Sequence, residues 1–267
     1  MPSTNILWQK IADEAREHAV KEPALASFLH ATVLNHDTLC AALSYLLANK
    51  LGGSEVSDLQ VRDVVESALS AQSTIVESAS HDLQAVFERD SACDNYLYPL
   101  LYFKGFQALQ SYRIAHWLWG QNRHCLALFF QSRIALIFGV DIHPAAKLGK
   151  GLMLDHATGI VIGETTVIED DVSIMQEVTL GGTGKENGDR HPKVRRGVLI
   201  SAGAKILGNI EIGENAKVGA GSVVLKAVEA HTTVAGVPAV VIGRPMSASP
   251  ALDMNHEISC DEPCKEQ

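Results

Sequence analysis

From Ile142 to about Val228 the chain repeats every six residues. An aliphatic residue opens each unit and a small or β-branched residue takes its fifth place, as in Ile142-His-Pro-Ala-Ala-Lys, Ile162-Gly-Glu-Thr-Thr-Val and Ile168-Glu-Asp-Asp-Val-Ser. The run is interrupted and then resumes at Val194, Ile200, Ile206, Ile212, Val218 and Val224. A period of six is the signature of a parallel β-helix, in which short strands stack and share one continuous apolar column. Two irregularities stand out. Ile160 and Ile162 both qualify as the start of a unit, a slip of two residues, and the spacing from Leu180 to Val194 is 14 where two units would give 12. That second gap holds Gly181-Gly-Thr-Gly-Lys-Glu-Asn-Gly-Asp-Arg-His-Pro-Lys193, which is too rich in glycine and charge to line an apolar column and is expected to leave the helix as a loop.

Upstream of Val140 the period is that of α-helices, with apolar residues three and four apart. Asn5 is a candidate cap for a helix to about Ala19, Asp37 for one carrying Leu39, Ala42, Leu43, Leu46 and Leu47, and Ser57 or Asp58 for a third. Further helices are expected over 75–87, 104–119 and 127–138, with Gly139 as a left-handed terminator. Asp90 to Pro99 reads as a connection between helices. The expected organisation is therefore α+β: an all-α domain at 1–139, a β-helix at 140–245 and a flexible polar tail at 246–267.

The formal charge of -9 argues against a nucleic-acid partner, which would require clustered Lys and Arg. The N-terminal stretch lacks the basic and apolar regions of a signal peptide, and no apolar run approaches the ~20 residues of a spanning helix, so a cytoplasmic protein is expected. Five scattered cysteines, Cys40, Cys93, Cys125, Cys260 and Cys264, do not form a disulfide framework. No metal is expected either. Two thiols in a polar tail are a poor ligand set, and no pair of histidines five positions apart is present.

Three features single out residues for chemistry. His156 directly follows Asp155; Asp141 lies 15 residues before His156, a little less than one coil of three units; and Arg190-His191 sits on the excursion loop. An imidazole beside a carboxylate is a general base at neutral pH, because the acid fixes its tautomer and stabilises the imidazolium. His143 and His231 are read as structural. Glycine- and alanine-rich corners at Gly181-Gly182, Ala202-Gly203-Ala204 and Gly219-Ala220-Gly221 let an extended ligand approach the backbone, with Lys205 and Lys217 placed to meet phosphates. Tight β-helix corners need the same small residues.

The stretches Val140-Asp-Ile-His-Pro, Met153-Leu-Asp-His-Ala-Thr-Gly, Val178-Thr-Leu-Gly-Gly-Thr-Gly-Lys and Gly188-Asp-Arg-His-Pro-Lys closely resemble bacterial serine O-acetyltransferases, as do Arg89-Asp90 and Leu100 to Leu118 upstream. The resemblance extends to about Pro245. It implies a helical domain followed by a left-handed parallel β-helix, and transfer of an acetyl group from acetyl-CoA to the hydroxyl of L-serine in cysteine biosynthesis. It makes His156 the general base and Asp141 its partner. Asp90, Asp155, Arg190 and His191 become the residues that hold the amino acid, with His191 also serving the hydroxyl or the oxyanion. Of the corner residues and lysines named above, Gly182, Ala202, Gly203, Lys217 and Ala220 are the candidates for contact with the coenzyme. A related hexapeptide acetyltransferase acting on a sugar or xenobiotic is the alternative.

The resemblance further implies trimeric β-helices with sites between subunits, two trimers joined through their helical domains into a homohexamer, and inhibition by L-cysteine. One departure concerns O-acetylserine sulfhydrylase, the family's partner, which captures a C-terminal Ile. This chain ends Cys264-Lys-Glu-Gln267, and its last Ile is Ile258.

Overall fold

A computed structural model of the chain describes residues 4–184 and 187–258. The helical half begins with α1 (Thr4–Lys21) and α2 (Pro23–Leu29), which runs on through a π-helical turn (His30–Leu34). It continues with α3 (Leu39–Leu51), α4 (Asp58–Ala71), α5 (Thr74–Arg89), α6 (Leu97–Tyr102), α7 (Lys104–Gly120) and α8 (His124–Phe138). The cap of α3 is Thr38, not Asp37: its hydroxyl accepts from the Ala41 N–H at 3.2 Å. Ser57 caps α4 in a reciprocal capping box with Gln60, which satisfies two N–H groups that a helix start otherwise leaves unpaired. Gly139 follows α8 with φ 67, a left-handed turn that suits glycine. Two short helices, α2 and α6, fall where no apolar periodicity announced one.

After Gly139 the backbone winds into a triangular coil with three parallel faces. The first face stacks β1 (Val140–Ile142), β4 (Ile160–Ile162), β7 (Thr179–Gly181), β10 (Lys205–Leu207) and β13 (Val223–Val224). The second stacks β2 (Lys147–Leu148), β5 (Val167–Ile168), β8 (Lys193–Val194) and β11 (Glu211–Ile212). The third stacks β3 (Met153–Leu154), β6 (Ser173–Ile174), β9 (Leu199–Ile200), β12 (Lys217–Val218) and β14 (Thr233–Gly236), and ends in β15 (Ala239–Gly243), which turns back antiparallel on β14.

The repeat explains the core. The aliphatic residue that opens each unit points inward, so that Ile142, Leu154, Ile162, Ile168, Ile174, Leu180, Val194, Ile200, Ile206, Ile212, Val218 and Val224 are all buried. The fifth-place residue fills the corner beside it: Ala146, Thr166, Val172, Val178, Val198, Ala204, Ala216 and Ser222 are fully enclosed. Each buried aliphatic side chain contributes about 1.5–3 kcal/mol, and stacking makes the column continuous. Leu180 and Val194 occupy neighbouring faces, so no unit is hidden in the 14-residue gap; all of the excess is loop.

The helical half is fastened to the first coils by buried polar groups. Asp82, fully enclosed on α5, accepts from Arg113 Nη2 at 2.6 Å, from Gln110 Nε2 at 3.0 Å and from the Leu152 N–H at 2.9 Å. Arg113 Nη2 also donates to the Gly149 carbonyl, and the Tyr112 hydroxyl to that of Ala146. At the end of α5, Arg89 donates to Ser173 Oγ at 3.1 Å.

The segment expected to be a flexible tail is, as far as Ile258, laid against the third face. A short helix, α9 (Pro250–Asp253), buries Ala251 completely, and Ser173 Oγ donates to the Ala251 carbonyl at 2.8 Å. Beyond it His256 Nδ1 pairs with Ser201 Oγ at 2.9 Å, and Lys217 Nζ donates to the Glu257 carbonyl. A few anchors of this kind suffice to seat a polar segment whose composition alone reads as mobile. Residues 259–267, with Cys260, Cys264 and the Gln267 terminus, lie outside the described residues.

Candidate active site

A cleft of about 470 Å³ opens where the helical half meets the first coil. From the helices come Asp90, at the end of α5, and Lys104, Gly105 and Phe106, at the start of α7; from the β-helix come Met153, Leu154, Asp155 and His156. The sequence candidates Asp90, Asp155 and His156 thus converge although 65 residues separate the first two. Asp155 and His156 lie in the corner that joins the third face to the first. His156 holds a left-handed backbone, φ 54, and its side chain is 71% exposed, with Nε2 3.8 Å from Asp155 Oδ2. Burial pushes the Asp155 carboxyl above its ordinary value, and the nearby charge of Asp90 adds to the rise while His156 opposes it. Such a pair of carboxylates gains most from a bound cation.

Asp141 does not pair with His156 in the single chain. It sits in the middle of β1 between two inward residues, so its side chain faces out of the first face, and Oδ1 accepts from Gln131 Nε2 at 2.7 Å. Among the described residues the carboxylate within ion-pair reach of His156 is that of Asp155.

Arg190 and His191 lie on another edge of the prism, the corner between the first and second faces. Thr165 organises them: its hydroxyl accepts from the N–H of Arg190 at 3.0 Å and of His191 at 3.1 Å. The Thr165 N–H donates to His191 Nδ1 at 3.2 Å, which leaves Nε2 as the protonated nitrogen of the neutral ring. Burial and the Arg190 charge hold the His191 pKa below its ordinary value. The ring rests on Gly163, where a Cβ would come within 2.0 Å of His191 Cδ2. Arg190 Nη2 pairs with Glu164 Oε2 at 2.5 Å, and this bond keeps the Glu164 carboxyl below its usual range. His143 belongs to the same edge, its ring edge-on to Trp119 and its pKa lowered by burial. Thr165 and Glu164 were visible in the sequence only as residues of the coil motif; nothing in the hexapeptide pattern distinguishes a corner residue that holds a loop from one that does not.

The candidate coenzyme positions divide in the same way. Ala202, Gly203 and Ala220 stack on the edge that carries His156, whereas Gly182 begins the loop on the edge of Arg190. Lys217 is a correction. Its side chain is buried on the third face and committed to the Glu257 carbonyl, and burial lowers its pKa, so it does not present a free cation to a phosphate in this conformation. Lys205 donates to the carbonyls of Glu177 and Gly203. Among the described residues no cluster of three or more His, Cys, Asp or Glu is arranged to hold a metal, and no helix is long and apolar enough to cross a membrane.

Residues 7–111 match the family model described as serine acetyltransferase, N-terminal, and residues 191–226 match that of the bacterial transferase hexapeptide, six repeats. A serine acetyltransferase of Salmonella typhimurium strain LT2 is 60% identical over 254 residues, 95% of this chain and 93% of the relative. The chain belongs to the serine acetyltransferase family. The crystal structure of serine acetyltransferase from Vibrio cholerae superposes with a TM-score of 0.95 at 60% identity, covering 96% of this chain and 99% of that one. A serine acetyltransferase in complex with cysteine gives 0.93 at 58% identity, covering 94% and 98%. That from Brucella abortus in complex with coenzyme A gives 0.88 at 52%, covering 89% and 95%, and the soybean enzyme complexed with serine 0.88 at 53%, covering 90% and 99%. The helical half supplies the second wall of the cleft that carries Asp155 and His156.

Proposed function

We propose that the chain transfers the acetyl group of acetyl-CoA to the hydroxyl of L-serine, giving O-acetyl-L-serine and CoA, and that L-cysteine inhibits it at the same site. The observation that carries this reading is the convergence of Asp90, Asp155 and His156 on one cleft: two carboxylates to receive an ammonium group, and an exposed imidazole beside them. His156 takes the proton of the serine hydroxyl as the oxygen attacks the thioester carbonyl, and the imidazolium then protonates the departing thiolate. Asp90 and Asp155 hold the ammonium. Arg190 binds the carboxylate and so exchanges Glu164 for substrate, with the Nε2–H of His191 directed to an oxygen of the amino acid or the oxyanion. Cysteine carries the same two charged groups and differs from serine at one atom, which accounts for its binding in serine's place.

His156 and Arg190 sit on different edges of one prism, so one serine molecule meets both only if a second copy brings its Arg190 edge against the His156 edge of the first. A threefold assembly of β-helices does this three times over. Asp141, on the outward side of the first face, serves His156 only after the exposed ring has rotated towards it. The coenzyme follows the stacked corners Ala202, Gly203 and Ala220. A serine acyltransferase of this kind works in cysteine biosynthesis, and a dimer of trimers belongs to the same proposal.

Two measurements test it. Thiol release from acetyl-CoA is followed with serine, with galactosides and with aminoglycosides; turnover with serine alone is the expected result, and turnover only with the others overturns the acceptor. Co-expressed His156→Ala and Arg190→Ala chains, assayed at a serine concentration too low for either variant to turn over alone, are expected to recover about a quarter of wild-type activity, since random pairing leaves that share of interfaces intact. No recovery in mixed oligomers would place both residues in a site within one chain.

A further inference from the structure

The corner that carries His156 is longer and more contorted than its neighbours on the same edge. Along the inward column the step from Leu154 to Ile162 is eight residues, where the other third-to-first steps, from Ile174 to Leu180, from Ile200 to Ile206 and from Val218 to Val224, are six. The slip of two residues in the repeat therefore falls at the proposed base. The extra length is taken up by two successive residues other than glycine in the left-handed region, His156 at φ 54 and Ala157 at φ 59, followed by Gly159 at φ 76. The next corner on that edge carries a single such residue, Glu177 at φ 60. A pair of left-handed residues persists only where the surroundings over-determine it.

What surrounds this corner is the first turn of α7. Gly105 lies so close that a Cβ there would stand 2.0 Å from the Leu154 carbonyl oxygen and 3.1 Å from Ala157 Cβ, so the helix backbone itself presses on the corner. Ala157 is completely enclosed beneath it. Beside Gly105, Lys104 Nζ donates to Thr158 Oγ1, two residues beyond His156, and on the far side the Gly159 N–H donates to the Gly139 carbonyl at 2.7 Å. His156 is thus the exposed apex of a loop pinned before, beneath and after it. Lys104 has its ammonium committed to Thr158, and nothing in the proposed acetyl transfer calls on it.

We propose that Lys104 and Gly105 are positioning residues for the acetyl transfer: the helical half sets the direction of the His156 imidazole through a glycine contact and a lysine–threonine bond at the start of α7. The proposal rests on His156 being the base. It gives the helical domain a second part in the reaction besides supplying Asp90, and assigns a role to two residues that neither touch serine nor move a proton. Gly105→Ala must push α7 away from Leu154, whereas loss of the Lys104 bond leaves the packing intact and frees only the outer end of the corner.

The test uses the full-length enzyme. Lys104→Met, Lys104→Arg, Thr158→Val and the double variant Lys104→Met/Thr158→Val are compared with wild type by steady-state kinetics and thermal melting, with His156→Ala in parallel. Misplacement of a reacting group by about 1 Å costs on the order of 10²-fold, so Lys104→Met and Thr158→Val are each expected to lower kcat by about 10–100-fold. KM for serine should stay within about threefold and the melting temperature within about 2 °C, because the groups that bind serine and the buried packing are untouched. Lys104→Arg is expected to restore most of kcat, and the double variant to be no worse than either single one. A Lys104→Met enzyme with wild-type kcat, while His156→Ala is inactive, overturns the positioning role alone; an active His156→Ala enzyme overturns the base assignment beneath it. Additive losses in the double variant, or a fall in melting temperature that accounts for the lost activity, also overturn the proposal.

Discussion

At the scale of single residues the site separates into groups that act on protons and groups that hold charge. His156→Ala removes the base and is expected to lower kcat by about 10²–10⁴-fold while leaving coenzyme binding nearly unchanged; stopped-flow thiol release and coenzyme titration measure the two. Arg190→Ala removes the partner of the substrate carboxylate, so its main effect should be a higher KM for serine together with weaker inhibition by cysteine. An unchanged KM would take Arg190 out of the clamp. His156 and Arg190-His191 draw attention in the sequence because they sit at the two places where the hexapeptide rhythm fails. The hydrogen-bond partners that the folded chain gives to Asp141 and Arg190-His191 were not legible there. Asp141 is near His156 in sequence terms but its strand turns it outward to Gln131, and Glu164 and Thr165 occupy ordinary corner positions whose hydrogen bonds appear only when the loop is folded back on them.

At the scale of elements the joint between α5, α7 and the first coil deserves the closest test. Asp82 is completely buried and ties Arg113, Gln110 and the Leu152 N–H together. Removing one member of a buried ion pair leaves an uncompensated charge in the interior and costs about 3–5 kcal/mol, so Asp82→Ala is expected to lower stability by that amount in chemical denaturation. The effect should reach catalysis too, because Leu152 leads directly into Met153, Leu154 and Asp155. Periodicity revealed the long helices and the column of the β-helix, since both place apolar residues at a fixed interval. It missed α2 and α6, which are too short to show one, and composition misjudged residues 246–258, where docking depends on a buried Ala251 and a few hydrogen bonds rather than on hydrophobic content.

At the scale of the whole molecule, acid should loosen the fold before it titrates most carboxylates. His143, His191 and His256 all have pKa values lowered by burial from an ordinary 6.5. In the window just below 6.5 the unfolded chain therefore binds more protons than the folded one, and stability falls as pH falls through it. Asp155 and Glu14, raised by burial, act in the opposite sense, above the ordinary carboxylate values of 3.8 and 4.5. Melting curves between neutrality and about pH 5.5 should accordingly show a decreasing transition temperature, lessened by His256→Gln; a flat profile would mean that the three rings are as free to protonate folded as unfolded.

The reversal of β15 on β14 has a consequence for how many molecules can join. A parallel coil ends in an open rim of unpaired backbone N–H and C=O groups, and a second coil can add to such a rim without limit. Here α8 leads into β1 at the first rim, while at the far one the chain turns antiparallel, so the last strand no longer offers the register that another parallel coil would need. On the third face, addition of a further parallel coil is stopped at that rim.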